Sequence, residues 1–431
     1  MRLRFLAIVF GVILTVVFLA GCTDKTKDNP SRSFVTEKGL LWKWPMQFES
    51  ILTSTIFDAT TENPSVRGVH IYTPPGYNWQ GQGRPYPVLY LLSPFRANDL
   101  YYSEHGLVEI ADRLLSEGKI QPMIIVCFDG RSLLGGSFYT NSIRQGNYFT
   151  ALFRDTSYMD IEWQALNDTF TVDIFSNGMV NRVDQAYSTI QDKGARAIGG
   201  VGMGGYGAFS AAIQTDLFSS VSAVNAPLDF DGDDGESGFR TLIDNDISSV
   251  WPIDTSFADP ATSLIVSASS AFSPHVTVID SIYYFTSQVS MARTFGYFVG
   301  DTLTDDLKSY LPKHQSHAPI DSTGAIDNFI WGLWMAHNID SLYVNDPEGF
   351  ATQFNDMPKL LISSDEAKFH YDDQMTAFLN FLNSNGMGTT IQHLTFEGNS
   401  EMPATADSYL YDLLEDILIF HSENFDIPED L

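Results

Sequence analysis

Apolar positions along the chain follow two rhythms. Short runs, continuous or alternating with period two, occur in "VRGVHIYTP", "YPVLYLL", "MIIVCFDG", "ARAIGGVG", "FSSVSAVNA", "PKLLISS" and "TTIQHLTF". Runs of this kind predict strands. Between them, "HGLVEIADRLLSEG", "NRVDQAYSTIQ", "YGAFSAAIQ", "YDDQMTAFLNFLNSNG" and "DSYLYDLLEDILIFHSENF" space their apolar residues for one face of a helix. Strand and helix in alternation predict an α/β fold, a mostly parallel central sheet flanked by helices on both faces. Two stretches break the rhythm, at about 143–167 and about 229–356, the second rich in Asp, Ser, Thr and Pro. Irregular segments of that length are usually functional insertions. Both are expected above the carboxyl edge of the sheet, the larger as a cap.

The amino terminus has a different character. Arg2 and Arg4 precede an uncharged apolar run from Phe5 to Ala20, which suits the hydrophobic region of an export signal better than a membrane span. The run ends in Leu19-Ala20-Gly21-Cys22, similar to the lipobox of bacterial lipoproteins, in which the cysteine is acylated and becomes the first mature residue. This pattern predicts a signal peptide over 1–21, a polar tether over 22–40, and a single domain over 41–431. It also predicts export and a lipid anchor at Cys22 in a bacterial cell envelope, the membrane being the partner at that end. The other cysteine, Cys127, lies in an apolar run and is expected to be a buried small hydrophobe. No disulfide framework is implied.

Charge narrows the partners. The formal net charge of −29 becomes more negative once the two signal arginines are removed, so nucleic acid and anionic headgroups are repelled. With 44% hydrophobic residues, such acidity still predicts a folded globular protein. The acidic run "DFDGDDGESG" at 229–238 invites a calcium reading. Counted from Asp229, however, an EF-hand's sixth and twelfth positions hold Asp234 and Arg240, where glycine and glutamate are required. His314 and His317 have metal-like spacing without a third ligand in view. Neither feature predicts a metal site, and no cofactor is expected.

The stretch "RAIGGVGMGGYGAFSAA" reads as a strand, a glycine-crowded turn and a small-residue helix, the plan of a nucleophile elbow. Together with "VHIYTPPGY", "YPVLYLL", "GSFYTNS", "AFSPH" and "PKLLISSDE" in that order, it resembles the "Putative esterase" family of α/β-hydrolases, which includes S-formylglutathione hydrolases, feruloyl esterases and mycolyltransferases. The resemblance implies an elbow serine as nucleophile, a histidine as its base and an acidic residue that orients the histidine.

The departures are specific. Gly202 stands at the serine's place. Asp365, after the strand "KLLIS", holds the acid's place. The turn that normally carries the histidine reads Glu397-Gly398-Asn399-Ser400-Glu401, with Ser400, or Asn399 if the turn slips by one, at the histidine's position. His393 and His421 are the nearest histidines in sequence, one in a predicted strand and one on a predicted helix, and local hydrogen bonds are the simpler expectation for both. In the oxyanion loop Ser93-Pro94 replaces the usual His-Gly or Asp-Gly, and "SPFRAND" is similar to the mycolyltransferase version. The resemblance maps the backbone donors to Phe95 and Met203, and places Tyr139 and Asn141 on the ligand side. Three functions stay open on the sequence: a binding lipoprotein that uses the old acyl or carbohydrate-ester cleft, an active hydrolase with a relocated nucleophile for which Ser93 is the nearest candidate, and a structural or assembly component of the envelope.

Overall fold

The computed structural model describes residues 38–47, 66–78, 84–132, 135–142, 146–153, 178–231, 238–244, 260–273, 319, 325–345, 351–364, 371–397 and 406–427. In chain order the strands are β1 (Leu40–Gln47), β2 (Val66–Thr73), β3 (Val88–Leu92), β4 (Ile124–Phe128), β5 (Asn141–Ser142), β6 (Gly146–Asn147), β7 (Arg196–Val201), β8 (Ser220–Val224), β9 (Lys359–Ser364) and β10 (Ile391–Phe396). β5 and β6 form a hairpin of their own. The other strands make one sheet in the order β1-β2-β4-β3-β7-β8-β9-β10. β2 runs antiparallel to β1 and β4, and every other neighbouring pair is parallel. With crossover helices, this is the α/β-hydrolase type of sheet expected from the sequence.

The longer helices are α1 (Leu107–Ser116), α2 (Met179–Ala186), α3 (Met203–Gln214), α4 (Pro260–Phe272), α5 (Asn328–Met335), α6 (Ile339–Asn345), α7 (Tyr371–Ser384) and α8 (Ala406–Glu423). α1 buries Leu107, Ile110, Ala111 and Leu114, one stripe at helical spacing. Strand residues alternate between two apolar layers. Val88, Tyr90 and Leu92 join the layer that holds residues of α3, α4 and α7. Leu89 and Leu91 join the layer of α1 and α8. α3 is buried almost all round, which its sequence permits because Gly, Ala and Ser let neighbouring backbone approach.

Two local expectations are corrected. The domain begins before residue 41: Leu40 opens β1, and the Gly39 N–H donates to the Asp112 carboxylate. The helix predicted through "NRVDQAYSTIQ" stops at Ala186, because Tyr187 to Ile190 is drawn into extended pairing with Tyr86. The Tyr86 N–H donates to the Ser188 carbonyl and the Ile190 N–H to the Tyr86 carbonyl, both at 2.9 Å. Among the described residues no helix is long and apolar enough to cross a membrane.

Candidate functional site

β7 delivers the chain to Gly202, which has φ 54° and ψ −119° and caps α3. Few residues other than glycine occupy this region without strain. The Gly202 N–H donates to the Val224 carbonyl at 2.8 Å, and its own carbonyl accepts the Tyr206 N–H at 3.1 Å, so the turn is fixed on both sides. A Cβ at Gly202 would meet only Pro94 Cβ at 3.7 Å and the Asn225 carbonyl oxygen at 3.8 Å. Space for a side chain is therefore present, and backbone conformation is what favours glycine. Gly204 is the converse case, since a Cβ there would overlap the Leu92 carbonyl. α3 thus starts directly against the end of β3, where the oxyanion loop leaves the sheet.

That loop is tied down at several points. Tyr102 Oη donates to the Leu92 carbonyl and Tyr139 Oη to the Ser93 carbonyl, both at 2.8 Å, while the Arg96 N–H donates to the Gly135 carbonyl at 2.8 Å. Phe95 and Met203 come together over Gly136, where an added Cβ would lie 2.5 Å from Met203 Sδ and 2.7 Å from Phe95 Cδ2. Neither the Phe95 N–H nor the Met203 N–H has a hydrogen-bond partner among the described residues. Both donors mapped from the sequence are thus unspent, the Met203 N–H at the head of a helix whose dipole favours negative charge.

The non-glycine residues with positive φ are Arg96 at 70°, Phe138 at 50°, Tyr139 at 53° and Asn225 at 44°, among the described residues. All four border this turn. Arg96 is in the oxyanion loop, Phe138 and Tyr139 follow Gly136, and Asn225 follows β8. Such conformations cost on the order of 1–3 kcal/mol each and persist only where the surroundings impose them. Asn225 is held by a closed set of bonds: Nδ2 donates to Ser364 Oγ at 2.7 Å, Oδ1 accepts the Ser364 N–H at 2.9 Å, and its N–H reaches the Ile362 carbonyl at 2.9 Å. This clamp fixes the end of β9, the strand that leads to Asp365, against the elbow.

A scan against family models matches residues 61–280, just over half of the chain, to the family described as "Putative esterase". The chain belongs to this esterase family. Its fold is similar to that of a ferulic acid esterase at 15% identity and a TM-score of 0.48, covering 91% of this chain and all of the other. It is likewise similar to an S-formylglutathione hydrolase from Agrobacterium tumefaciens at 14% identity and a TM-score of 0.45, covering 92% and 99%. A fluorophosphonate-binding serine hydrolase of Staphylococcus aureus matches at 11% identity and a TM-score of 0.47, covering 89% and 99%.

Within this family member the remaining candidates fall into place unevenly. Asp365, Asn399, Ser400, Cys22, His314, His317 and residues 232–237 of the acidic loop lie outside the described residues. Ser93 is 1% exposed, and its Oγ donates to the Phe128 carbonyl. A hydroxyl so enclosed and so engaged is not poised as a nucleophile, which removes the residue named for a relocated one. Tyr139 is fully buried, wedged against Gly207 of α3, with its hydroxyl consumed by Ser93. It shapes the oxyanion loop from beneath rather than facing a ligand, and burial raises its phenol well above the ordinary range. Asn141 is exposed and closes the β5–β6 hairpin by exchanging hydrogen bonds with Thr150 at 2.9 and 3.0 Å. The Tyr139 correction has a plain cause, since the Ser93 carbonyl satisfies its hydroxyl inside the fold.

The histidines make local contacts. His421 bridges Ser220 Oγ and Ser222 Oγ, each at 2.8 Å, and burial lowers its pKa to about 3. His393 Nε2 lies 3.0 Å from Ser363 Oγ, whose proton goes to Asp372 at 2.9 Å, so serine rather than histidine is the middle member. Cys127 is 1% exposed, with its thiol pushed far up by burial. Among the described residues no group of three His, Cys, Asp or Glu is placed to hold a metal.

Two features escaped sequence reasoning. His70 Nδ1 and Asp99 Oδ2 form a buried pair at 2.6 Å that joins β2 to the far end of the oxyanion loop. Desolvation and the neighbouring Asp129 raise the Asp99 carboxyl, with His70 opposing them. Residues 29 apart in sequence give no local sign of such a pair. The second feature is the described part of the larger insertion, which packs Phe230, Phe239, Phe272 and Trp334 against Tyr206 and Phe138 in a chain of edge-on and tilted rings. Ser267 Oγ donates to the Gly136 carbonyl at 2.7 Å, and Tyr206 Oη to the His337 carbonyl at 2.7 Å. The insertion therefore rests on the elbow helix and on the loop beside the two free donors.

Proposed function

We propose that this esterase-family protein is a non-catalytic binding lipoprotein of the cell envelope, anchored through Cys22, which holds an acyl or carbohydrate-ester-like ligand beside the elbow. The observation that carries the reading is Gly202 itself. It keeps the strained elbow conformation, with room for a Cβ, while carrying no nucleophile. Around it the Phe95 and Met203 N–H groups stay unspent, and the costly backbone at Arg96, Phe138, Tyr139 and Asn225 is retained. Unspent N–H groups can polarise a carbonyl or donate to a carboxylate oxygen without any covalent step. Acyl transfer needs, in addition, a nucleophile and a base to take its proton. Gly202 cannot supply the first, and the turn at Asn399-Ser400 lacks the second in either register.

The deciding experiment is active-site titration with a fluorophosphonate probe, run beside hydrolysis of short activated esters. No labelling is expected, and turnover should not exceed the background of an ordinary protein surface. Stoichiometric labelling of any serine would overturn the non-catalytic reading. Binding is checked separately by calorimetry with a short-chain carboxylate and its methyl ester, where the absence of heat from both would remove the ligand claim.

A further inference from the structure

The oxyanion loop is a span hung between two anchorages. At its start Ser93 Oγ donates to the Phe128 carbonyl, and Tyr139 Oη holds the Ser93 carbonyl. At its end the Asp99 carboxylate, 6% exposed, meets His70 Nδ1 at 2.6 Å. Between them lie Phe95, with its unspent N–H, and Arg96 at φ 70°, whose N–H reaches the Gly135 carbonyl. A left-handed arginine persists only where the chain around it is held.

β2 is shaped to receive that carboxylate. Gly68 and His70 are two apart on one strand, so they share a face. A Cβ added at Gly68 would overlap both oxygens of Asp99, so the carboxylate fills the space that the missing side chain leaves. Gly68 is not among the glycines with positive φ, and packing rather than backbone conformation calls for it. The nearby Arg131 is engaged with Asp129 through Nε at 2.9 Å and Nη2 at 2.7 Å, which leaves His70 as the counter-group of Asp99. Burying a carboxylate costs free energy even when it is paired, so the pair is poor support for stability. What it supplies is geometry, because one carboxylate in one cradle fixes where the loop ends.

We infer that Gly68, His70 and Asp99 form a latch that holds the oxyanion loop in its strained course and so sets the position of the Phe95 N–H. All three are positioning residues. Release of Asp99 frees the carboxyl end of the loop, lets Arg96 leave φ 70°, and shifts the adjoining Phe95. The effect on a ligand rests on the binding reading above, whereas the effect on the loop does not.

Hydrogen exchange, read by mass spectrometry on the peptide from Ser93 to Tyr101 of the full chain, tests the loop. Gly68→Ala evicts the carboxylate without changing the loop's own sequence, His70→Ala removes its partner, and Asp99→Ala removes the carboxylate itself. Each should speed exchange in that peptide roughly tenfold or more. Asp99→Asn keeps the shape and an oxygen for His70 Nδ1, and should restore slow exchange. Leu382→Ala cuts a cavity in the layer on the other face of the sheet, so it controls for lost stability and should leave the peptide unchanged. Exchange that stays slow in any of the three releasing variants, that is as fast in Asp99→Asn as in Asp99→Ala, or that rises equally in Leu382→Ala would overturn the latch. Calorimetry with sodium acetate tests the consequence. The releasing variants should bind roughly tenfold more weakly than the parent, and Asp99→Asn should recover most of the affinity. Equal affinity across variants whose loops have loosened would overturn the link to Phe95. A parent that binds no acetate would refute the binding reading instead, and the exchange result would then decide the latch by itself.

Discussion

Placing a side chain at Gly202 separates backbone strain from steric fit, because the structure assigns each to a different glycine. At Gly202 the nearest atoms to an added Cβ are 3.7 and 3.8 Å away, which is ordinary contact, so Gly202→Ser costs only what φ 54° and ψ −119° impose. That strain is on the order of 1–3 kcal/mol. Losing a glycine from the unfolded chain returns about 0.4–1 kcal/mol, which leaves a net destabilisation of roughly 1 kcal/mol. Gly204→Ala is the comparison. Its Cβ would overlap the Leu92 carbonyl, so α3 must move off β3, and overpacking of this kind against backbone costs about 3 kcal/mol or more. The helix-propensity gain of about 1 kcal/mol does not offset it. Urea unfolding followed by far-ultraviolet circular dichroism reads both. With a slope of roughly 3 kcal/mol per molar, Gly202→Ser should lower the midpoint by about 0.3 M and Gly204→Ala by at least twice as much. A Gly202→Ser protein as stable as the parent would show that residue 202 does not carry the strain of an elbow. Gly202 could then not stand at a relaxed nucleophile position as proposed.

Further outcomes follow from the same site and its surroundings. Gly202→Ser alone should remain inactive, whereas Gly202→Ser with Ser400→His, or with Asn399→His, should give weak ester hydrolysis measurable above background, since partial triads beside intact oxyanion donors retain catalysis. No gain in either double variant would mean that Asp365 or the donor pair is misplaced. Cys22→Ala should abolish incorporation of a fatty-acid analogue and release the protein from membranes, and undiminished labelling would end the lipoprotein reading. His421 has a folded pKa of about 3 against 6.5 unfolded, so the unfolded chain binds the extra proton and stability falls as pH drops from about 6.5 towards 3, by at most about 5 kcal/mol. The acid limb of a stability profile should be shallower in His421→Gln, and parallel limbs would refute the assignment.

The sheet was legible because its strands are locally self-consistent. β3, β4, β7, β8 and β9 are continuous apolar or small-residue runs, as strands buried on both faces must be. β1 was not legible, since "LLWKWPMQ" holds a lysine and a proline that argue against a central strand, and only an edge position tolerates them. The elbow could be read from its glycines. The four strained residues around it could not, because Phe138 and Tyr139 have local preferences that oppose a left-handed backbone, and tertiary contacts alone impose it. The same contacts distinguish Tyr139 from a ligand-facing residue: its hydroxyl finds the Ser93 carbonyl, 46 positions away.

On the proposed non-catalytic reading, those contacts would let an elbow outlast a nucleophile. A side chain at position 202 would touch little, so glycine there removes strain without opening a cavity. The rest of the turn is bound into the fold: Gly204 against Leu92, Tyr206 against the His337 carbonyl, Tyr139 against Gly207, and Asn225 against Ser364. Loss of any of these would unpair a buried polar group or part α3 from β3, at a cost comparable to a sizeable share of the whole folding free energy. Selection for stability alone therefore preserves the elbow and the ties of the oxyanion loop. The free Phe95 and Met203 N–H groups are different, because no contact within the fold uses them. Substituting Phe95 by proline removes one donor without removing any hydrogen bond of the folded chain, so it should abolish carboxylate binding, while loss of the partly buried ring that packs over Gly136 lowers stability. Calorimetry and urea unfolding on that one variant read the two effects independently, and unchanged carboxylate binding would show that the donor pair is a remnant of folding rather than a site.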